Sequence, residues 1–281
     1  MSTGWPVRDE AYTGSHLWDN RPPYPPRRMT ARKIEDRAEL ASMFLADREA
    51  HVYGLADLEE PYWSHSSWFR DGEAAMGLVS VGGDWVTGYA MSRVAPDAAL
   101  GLLHELLAEM PPGTWVTGPM GMHASMPPGR ETRSIGAHWR MILDDLADVP
   151  GWEAAVRLGL DDLAAIEDLY ESDPGKAFFM PSMLEHHPFV GVWEGDRLVS
   201  AAGTHVASET YGVAAVGAVI TRPSHRGRGL GKAAVAALCH RLVSDYETIG
   251  LNVETANTPA LAVYDQLGFR RAFQYEEIEV I

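Results

Sequence analysis

The sequence predicts an α/β (α+β) protein built as two halves of one design. Three observations point there. The order helix, hairpin, strand, helix, strand occurs twice along the 281 residues. A Pro150-Gly151 breaker follows the strand-like run 138–143, where a boundary between halves would fall. Hydrophobic residues make up 46% of the chain, the ordinary share for a protein that buries a real core.

The elements follow in order. Residues 1–29 read as a Pro-rich N-terminal arm, because Pro22, Pro23, Pro25 and Pro26 exclude helix and central strand. The first half, 30–148, opens with an amphipathic helical pattern over 32–44. Runs 76–81 and 85–91 flank Gly82-Gly83-Asp84, a hairpin signal. Pro96 and Asp97 can start a helix. The boundary is placed near Asp148-Val149-Pro150-Gly151. The second half, 149–281, opens with a short strand at 156–160 and a helix led by the N-cap-type acids Asp161 and Asp162. Runs 189–193 and 198–204 flank Glu194-Gly195-Asp196-Arg197, a second hairpin. Residues 212–220 are small and β-branched, with Val213, Val216, Val219 and Ile220, as in a buried strand. A helix over 233–243 follows, with Leu230, Ala234, Leu238 and Leu242 on one face. After a strand at 251–254, Asn257 can cap a helix with Pro259 in its first turn, and Gly268 suits the left-handed C-terminal cap.

Composition narrows the function classes. The formal net charge is −16, so a duplex or an anionic membrane meets an opposing average field and a cationic or amine-bearing substrate is mildly favoured. No apolar run approaches the ~20 residues needed to span a bilayer, and the first twenty residues lack the basic-then-apolar pattern of a signal peptide. A single cysteine, Cys239, rules out an intrachain disulfide; it reads as a small core residue and suits a reducing, cytoplasmic setting. Glu185-His186-His187 lacks the spacing of a metal pair and reads as a loop, so no metal is expected. Trp63, Trp68 and Trp85 either line a substrate cleft or pack in the core.

The chemistry concentrates between 211 and 269. A strand, a loop with Gly227, Gly229 and Gly231, and a helix make a physical phosphate trap. The glycines let the backbone bend and approach a ligand, and the N–H groups of the first helical turn have no partners of their own. Arg222, Arg226, Arg228 and Lys232 add charge, and the segment 222–232 holds no acid. It is not a Walker A loop, since Arg226 and Ala233 stand where Gly and Ser/Thr are needed. Nor does Gly-x-Gly-x-Gly satisfy the dinucleotide fingerprint.

Pro223-x-x-Arg226-Gly-x-Gly229-x-Gly231, followed by Asn257-x-x-Ala260-x-x-x-Tyr264-x-x-x-Gly268-Phe269, resembles the GNAT superfamily of acyl-CoA-dependent N-acyltransferases. The resemblance covers roughly 153–281. The first half matches only in element order and lacks both motifs, as in a tandem arrangement with one degenerate half. It implies two GNAT-like halves, each a central mixed, mostly antiparallel sheet flanked by helices. It further implies that strand 212–220 splays from strand 251–254, with coenzyme A in the gap beside the backbone of Ala218, Val219 and Ile220. The pyrophosphate would lie on Arg226, Gly227, Arg228, Gly229, Leu230, Gly231 and Lys232, and Asn257 would hydrogen-bond the cofactor. Tyr264 is the candidate acid for the leaving thiolate. His205 and Glu254 are alternative candidates for the base.

The expected activity is transfer of an acetyl group from acetyl-CoA to a primary amine of a small molecule or amino acid, by direct attack in a ternary complex. Two alternatives remain: an N-acyltransferase using longer-chain or aryl acyl-CoA, and a non-catalytic CoA-binding sensor module. The expected partner is a small-molecule amine or amino-acid acceptor, without nucleic acid or membrane, in a monomer or a homodimer.

Overall fold

The structure is a computed structural model and describes residues 31–80, 86–175 and 177–281. The expected arm at 1–29, and the turn Gly82-Gly83-Asp84 with Trp85, lie outside the described residues. Two compact units divide the chain. One holds residues 31–140 together with Glu254–Ala256 and Ala272–Ile281; the other holds Met141–Val253 and Asn257–Arg271.

The first unit runs β1 (Arg32–Ile34), α1 (Arg37–Leu45), α2 (Val52–Ala56), β2 (Ser66–Asp71), β3 (Ala74–Ser80), β4 (Val86–Tyr89), α3 (Pro96–Leu106), β5 (Trp115–Gly118) and most of β6 (Thr132–Leu143). The helix expected over 32–44 begins late, for two local reasons. Ile34 is 2% exposed and pairs with Trp68 as part of β1. Asp36 then accepts the Ala38 N–H at 2.9 Å, so α1 starts at Arg37. An aspartate there satisfies one of the donors that a first helical turn leaves open. Successive strands β1 to β4 pair antiparallel, and β4 pairs parallel with β5 across α3. Ala99, Leu102, Leu103 and Leu106 form the apolar stripe of α3 and pack with Met76, Val86 and Val116 in this unit's core.

The second unit continues with β7 (Ala155–Leu158), α4 (Leu163–Glu171), α5 (Met183–His186), β8 (Phe189–Glu194), β9 (Arg197–Ser208), β10 (Val213–Thr221), α6 (Leu230–Leu242), β11 (Thr248–Glu254), α7 (Thr258–Gln266) and the start of β12 (Phe269–Val280). β7 to β10 pair antiparallel in sequence, and β10 pairs parallel with β11 across α6. Glu185 and His186, expected in a loop, lie in the single turn α5. The Leu184 and Glu185 N–H groups bond back to Pro181 and Ser182, and Met183 is buried. One turn anchored by one side chain leaves no periodic pattern to read. From Ala272, β12 belongs to the first unit, where residues 276–279 pair antiparallel with β5.

The strands of each unit are mixed, mostly antiparallel and accompanied by helices, as the sequence predicts, but all twelve belong to one sheet rather than to a separate sheet in each half. Each unit contains one parallel pair joined by a helix, after a run of antiparallel strands. Between β5 and β6 the first unit has only the 3-10 turn His123–Ser125, whereas the corresponding step of the second unit is α7.

Candidate active site

The site is built where β9 and β10 twice break regular pairing. Ala215 opposes Val206 and Val216 opposes Thr204, so His205 is the extra residue of a bulge in β9. Gly217 opposes Gly203 while Ile220 opposes Ala201, which puts an extra residue into β10; there Ala218 has φ 49°. A left-handed residue other than glycine costs about 1–2 kcal/mol and persists only where its surroundings hold it. Here the Tyr170 hydroxyl of α4 donates to the Ala218 carbonyl, and Ser200 Oγ donates to the Ile220 carbonyl at 3.0 Å. Bulges of this kind end ladder pairing and re-aim side chains. The parallel pairing of β10 with β11 runs from Val213–Thr248 to Val216–Leu251 and stops, although β10 continues to Thr221 and β11 to Glu254. The backbone of Ala218, Val219 and Ile220 lies in the stretch of β10 not paired with β11, with Ile220 still opposite Ala201 of β9.

His205 lies against this bend. A β-carbon on Gly217 would stand 2.8 Å from His205 Cβ and 3.1 Å from its Nδ1, so the imidazole needs the glycine beneath it. The Phe178 ring packs on it at 5.6 Å. Burial pushes the His205 pKa down to about 4, with nearby His187 a smaller cause. His187 is likewise pushed to about 4 by burial, then by His186. Both rings are therefore neutral at pH 7, acceptors of weak basicity.

The glycine loop follows β10. Gly227 and Gly229 take φ 76° and 79°, with open space where a β-carbon would point. Gly231 is tightly packed instead: a β-carbon would press to 3.0 Å on Thr221 Oγ1. Gly229 is the N-cap of α6 and no side chain caps it, so the first-turn N–H groups lack an intrahelical acceptor. The basic residues divide. Arg222 is buried, donating from Nε to the Leu198 carbonyl at 3.1 Å and pairing with Asp168, so it ties β9 to α4 and is not part of the exposed loop. Arg226 pairs with Asp173, Arg228 with Glu194, and Lys232 Nζ donates to Gln266 Oε1 at 3.2 Å. The segment itself holds no acid, but the fold brings three to it: Asp168, Asp173 and Glu194.

Asn257 Oδ1 accepts the Ala260 N–H at 3.3 Å and caps α7. Tyr264 in that helix is 8% exposed, with its ring edge-on to Phe269 at 5.9 Å. Glu254 is exposed at the end of β11 and groups with the first unit. Trp68 is in the core of the first unit at 1% exposure, and Trp63 is half-buried under the Arg37 guanidinium at 5.1 Å. Sequence reasoning missed Tyr170, Phe178, Phe179 and His187, which surround the bend. The only signal was the paired aromatics after Pro174-Gly175, which have no periodicity. Among the described residues no group of three or more His, Cys, Asp or Glu is arranged to hold a metal, and no helix is long and apolar enough to cross a membrane.

Comparison with known proteins bears on this geometry. The acetyltransferase (GNAT) family model matches residues 160–269. No curated protein matches the chain. Among solved structures, a GNAT-family acetyltransferase from Novosphingobium aromaticivorans aligns with TM-score 0.52 and 24% identity, over 68% of this chain and 84% of that one. A GCN5-related N-acetyltransferase from Sphaerobacter thermophilus aligns with TM-score 0.55 and 16% identity, over 89% and 95%. A tandem GNAT protein from the clavulanic acid biosynthesis pathway aligns with TM-score 0.51 and 15% identity, over 89% and 98%. At these identities the structures speak to fold. With the family match lying on the bulged strand, the glycine loop and α7, residues 160–269 of this chain are a GNAT-family acetyltransferase domain.

Proposed function

We propose that the chain transfers an acetyl group from acetyl-CoA to a primary amine of a small molecule or amino acid, by direct attack in a ternary complex. One observation carries the reading: β10 leaves its pairing with β11 after Val216, just ahead of the left-handed Ala218, and a glycine loop that begins a helix with uncapped N–H groups follows on the same strand. The first feature leaves strand backbone to bind an extended amide chain. The second leaves N–H donors for a pyrophosphate, with the Arg226 and Arg228 guanidiniums, held by Asp173 and Glu194, on the same loop.

Acetyl-CoA is the substrate that supplies the thioester. Backbone N–H groups at 218–220 would hydrogen-bond the thioester oxygen and stabilise the negative charge it develops. Tyr264 serves the departing sulfur. A phenol near 10 protonates a thiolate near 8.5 only weakly, so its hydrogen bond is the larger part of its role. The attacking amine must be neutral. For a lysine-type amine that costs about 4–5 kcal/mol at pH 7, for an α-amine about 1–1.5. His205, neutral but weakly basic, suits a relay through water better than direct proton abstraction from a strongly basic ammonium. Glu254 is the other candidate.

The test is release of free thiol from acetyl-CoA, followed with a panel of α-amino acids and alkyl amines. Amine-dependent release supports the proposal. Tight coenzyme A binding with no release for any amine would favour the sensor reading, and release only with longer acyl donors the other acyltransferase.

A further inference from the structure

We infer that Tyr170 is a positioning residue for the transfer proposed above: its hydroxyl, anchored on the Ala218 carbonyl, aims the Val219 N–H at the place where the thioester oxygen would lie. The inference rests on that reading of the site and adds to it a residue from outside both motifs.

One peptide group decides the geometry. The Ala218 carbonyl and the Val219 N–H belong to the same planar trans peptide and point in opposite directions. The carbonyl accepts from the Tyr170 hydroxyl, so the N–H points away from that hydroxyl. The group also lies outside regular pairing. Ala218 and Val219 stand opposite no residue in the registers of β10 with β9 or with β11. Val219 is half-buried between buried Ala218 and Ile220. In a regular ladder the neighbouring strands set the direction of such a group. In this stretch a side chain from α4 sets it.

The anchor is itself held. The Tyr170 ring stacks on Phe179 at 4.8 Å, and Phe179 meets Phe189 edge-on at 5.8 Å. Phe189 is fully buried in β8. Burial pushes the Tyr170 phenol well above its usual value, so it stays a donor. The place of α4 does not depend on this hydroxyl, because Ile166 and Leu169 are buried in the unit's core and Asp168 pairs with Arg222. Phenylalanine at 170 would keep the stacking. What the hydroxyl adds is a hold on Ala218, whose φ of 49° a residue other than glycine leaves when released. Deleting an oxyanion donor outright costs about 100–1,000-fold in rate. Misaiming one costs less, and the loss falls on kcat because the bond strengthens as charge develops.

The experiment compares wild type with Tyr170→Phe. Steady-state kinetics use acetyl-CoA and an amine active in the thiol-release panel. Difference infrared spectra, without amine, follow the carbonyl of bound acetyl-CoA that is isotope-labelled there. Tyr170→Phe should lower kcat about 10–100-fold, with KM for acetyl-CoA within about twofold of wild type. In wild type the bound carbonyl band should lie below that of free acetyl-CoA. In the variant it should move back toward the free position, a change that lost packing alone does not produce. Should Tyr170→Phe not fold, the same measurements are made with and without the hydroxyl in an Ala218→Gly background. Glycine accepts φ 49° without strain but also samples other φ values, so removing the hydroxyl there spares the fold while the aim is still lost. An unchanged kcat, an unmoved carbonyl band, or a KM change that accounts for the whole loss would overturn the inference and leave the transfer reading intact. No acetyl-CoA binding, or no amine-dependent thiol release, by wild type would overturn that reading and this inference with it.

Discussion

Tyr264 is held by packing, edge-on to Phe269 and 8% exposed, and phenylalanine would keep that contact while losing one hydroxyl. Tyr264→Phe is therefore expected to lower kcat by about 10–1,000-fold with little change in acetyl-CoA affinity. Steady-state kinetics and calorimetry on one preparation check this, and an unchanged kcat would assign the thiolate to water or another group. The buried histidines make a second prediction. His51 is 7% exposed, stacks on Phe44 at 4.4 Å and sits with Nδ1 2.9 Å from the Tyr89 hydroxyl. Burial, partly opposed by Asp47, holds its pKa at about 4 against 6.5 for the unfolded ring. The unfolded chain therefore takes up the proton first. The stabilisation is whole above pH 6.5 and is lost as pH falls through about 4, on the order of 1–3 kcal/mol for His51. His187 and His205 act in the same direction. Asp57, raised from 3.8 to about 7, acts in the opposite one, its contribution fading as pH rises toward 7. Urea midpoints at pH 7, 5.5 and 4.5 should fall more steeply for wild type than for His51→Phe; parallel declines would place the acid sensitivity elsewhere.

Among the elements, the glycine loop was legible because backbone geometry and residue type coincide there: only glycine adopts φ 76° and 79° without strain. Gly229→Glu should abolish acetyl-CoA binding by placing a carboxylate at the mouth of α6. Gly229→Ala, which adds about 1–2 kcal/mol of left-handed backbone strain and no charge, separates conformation from charge. Calorimetry showing wild-type affinity in the glutamate variant would remove the loop from the cofactor site. Other elements were hidden for physical reasons. Asp36 moves the start of α1 because a cap outweighs a helical pattern that continues upstream. The acids facing the loop, Asp173 and Glu194, come from segments far away in sequence, and periodicity carries no information about such meetings. The bulges at His205 and Ala218 were equally silent, since a bulge is one residue of slippage between two strands rather than a pattern in one.

At the scale of the molecule, the repeated order of elements foretold two units of mixed strands with helices, but not that all twelve strands form one sheet. It could not tell which chain segments complete which unit. The first unit repeats the strand–helix–strand step but not its ligand features. α3 begins at Pro96 without a side-chain cap, and among the described residues no glycine between Gly72 and Gly113 takes a left-handed φ. Arg93, upstream of that helix, pairs with Asp47. A helix dipole without close backbone approach holds a polyanion poorly. One coenzyme A per chain is expected, bound by the second unit. Native mass spectrometry or calorimetric stoichiometry checks it, and two per chain would show that the first unit binds as well.

The placement of residues 272–281 has a consequence for how the protein is made and cut. Trp115 of β5 donates to Glu277 across 162 positions of sequence, at 2.8 Å in the interior. During synthesis the first unit cannot close its sheet when residue 140 emerges; it waits, with the edge of β5 open, until the whole of the second unit has followed. Pairings of such separation are slow to form and leave an edge exposed to association meanwhile. For the same reason a protease nick at Pro150-Gly151 would not yield two independent pieces. The downstream fragment carries a strand of its neighbour, and each fragment expressed alone would be missing, or burdened with, that strand. Co-expression of the two fragments, rather than either by itself, is the natural way to dissect this protein.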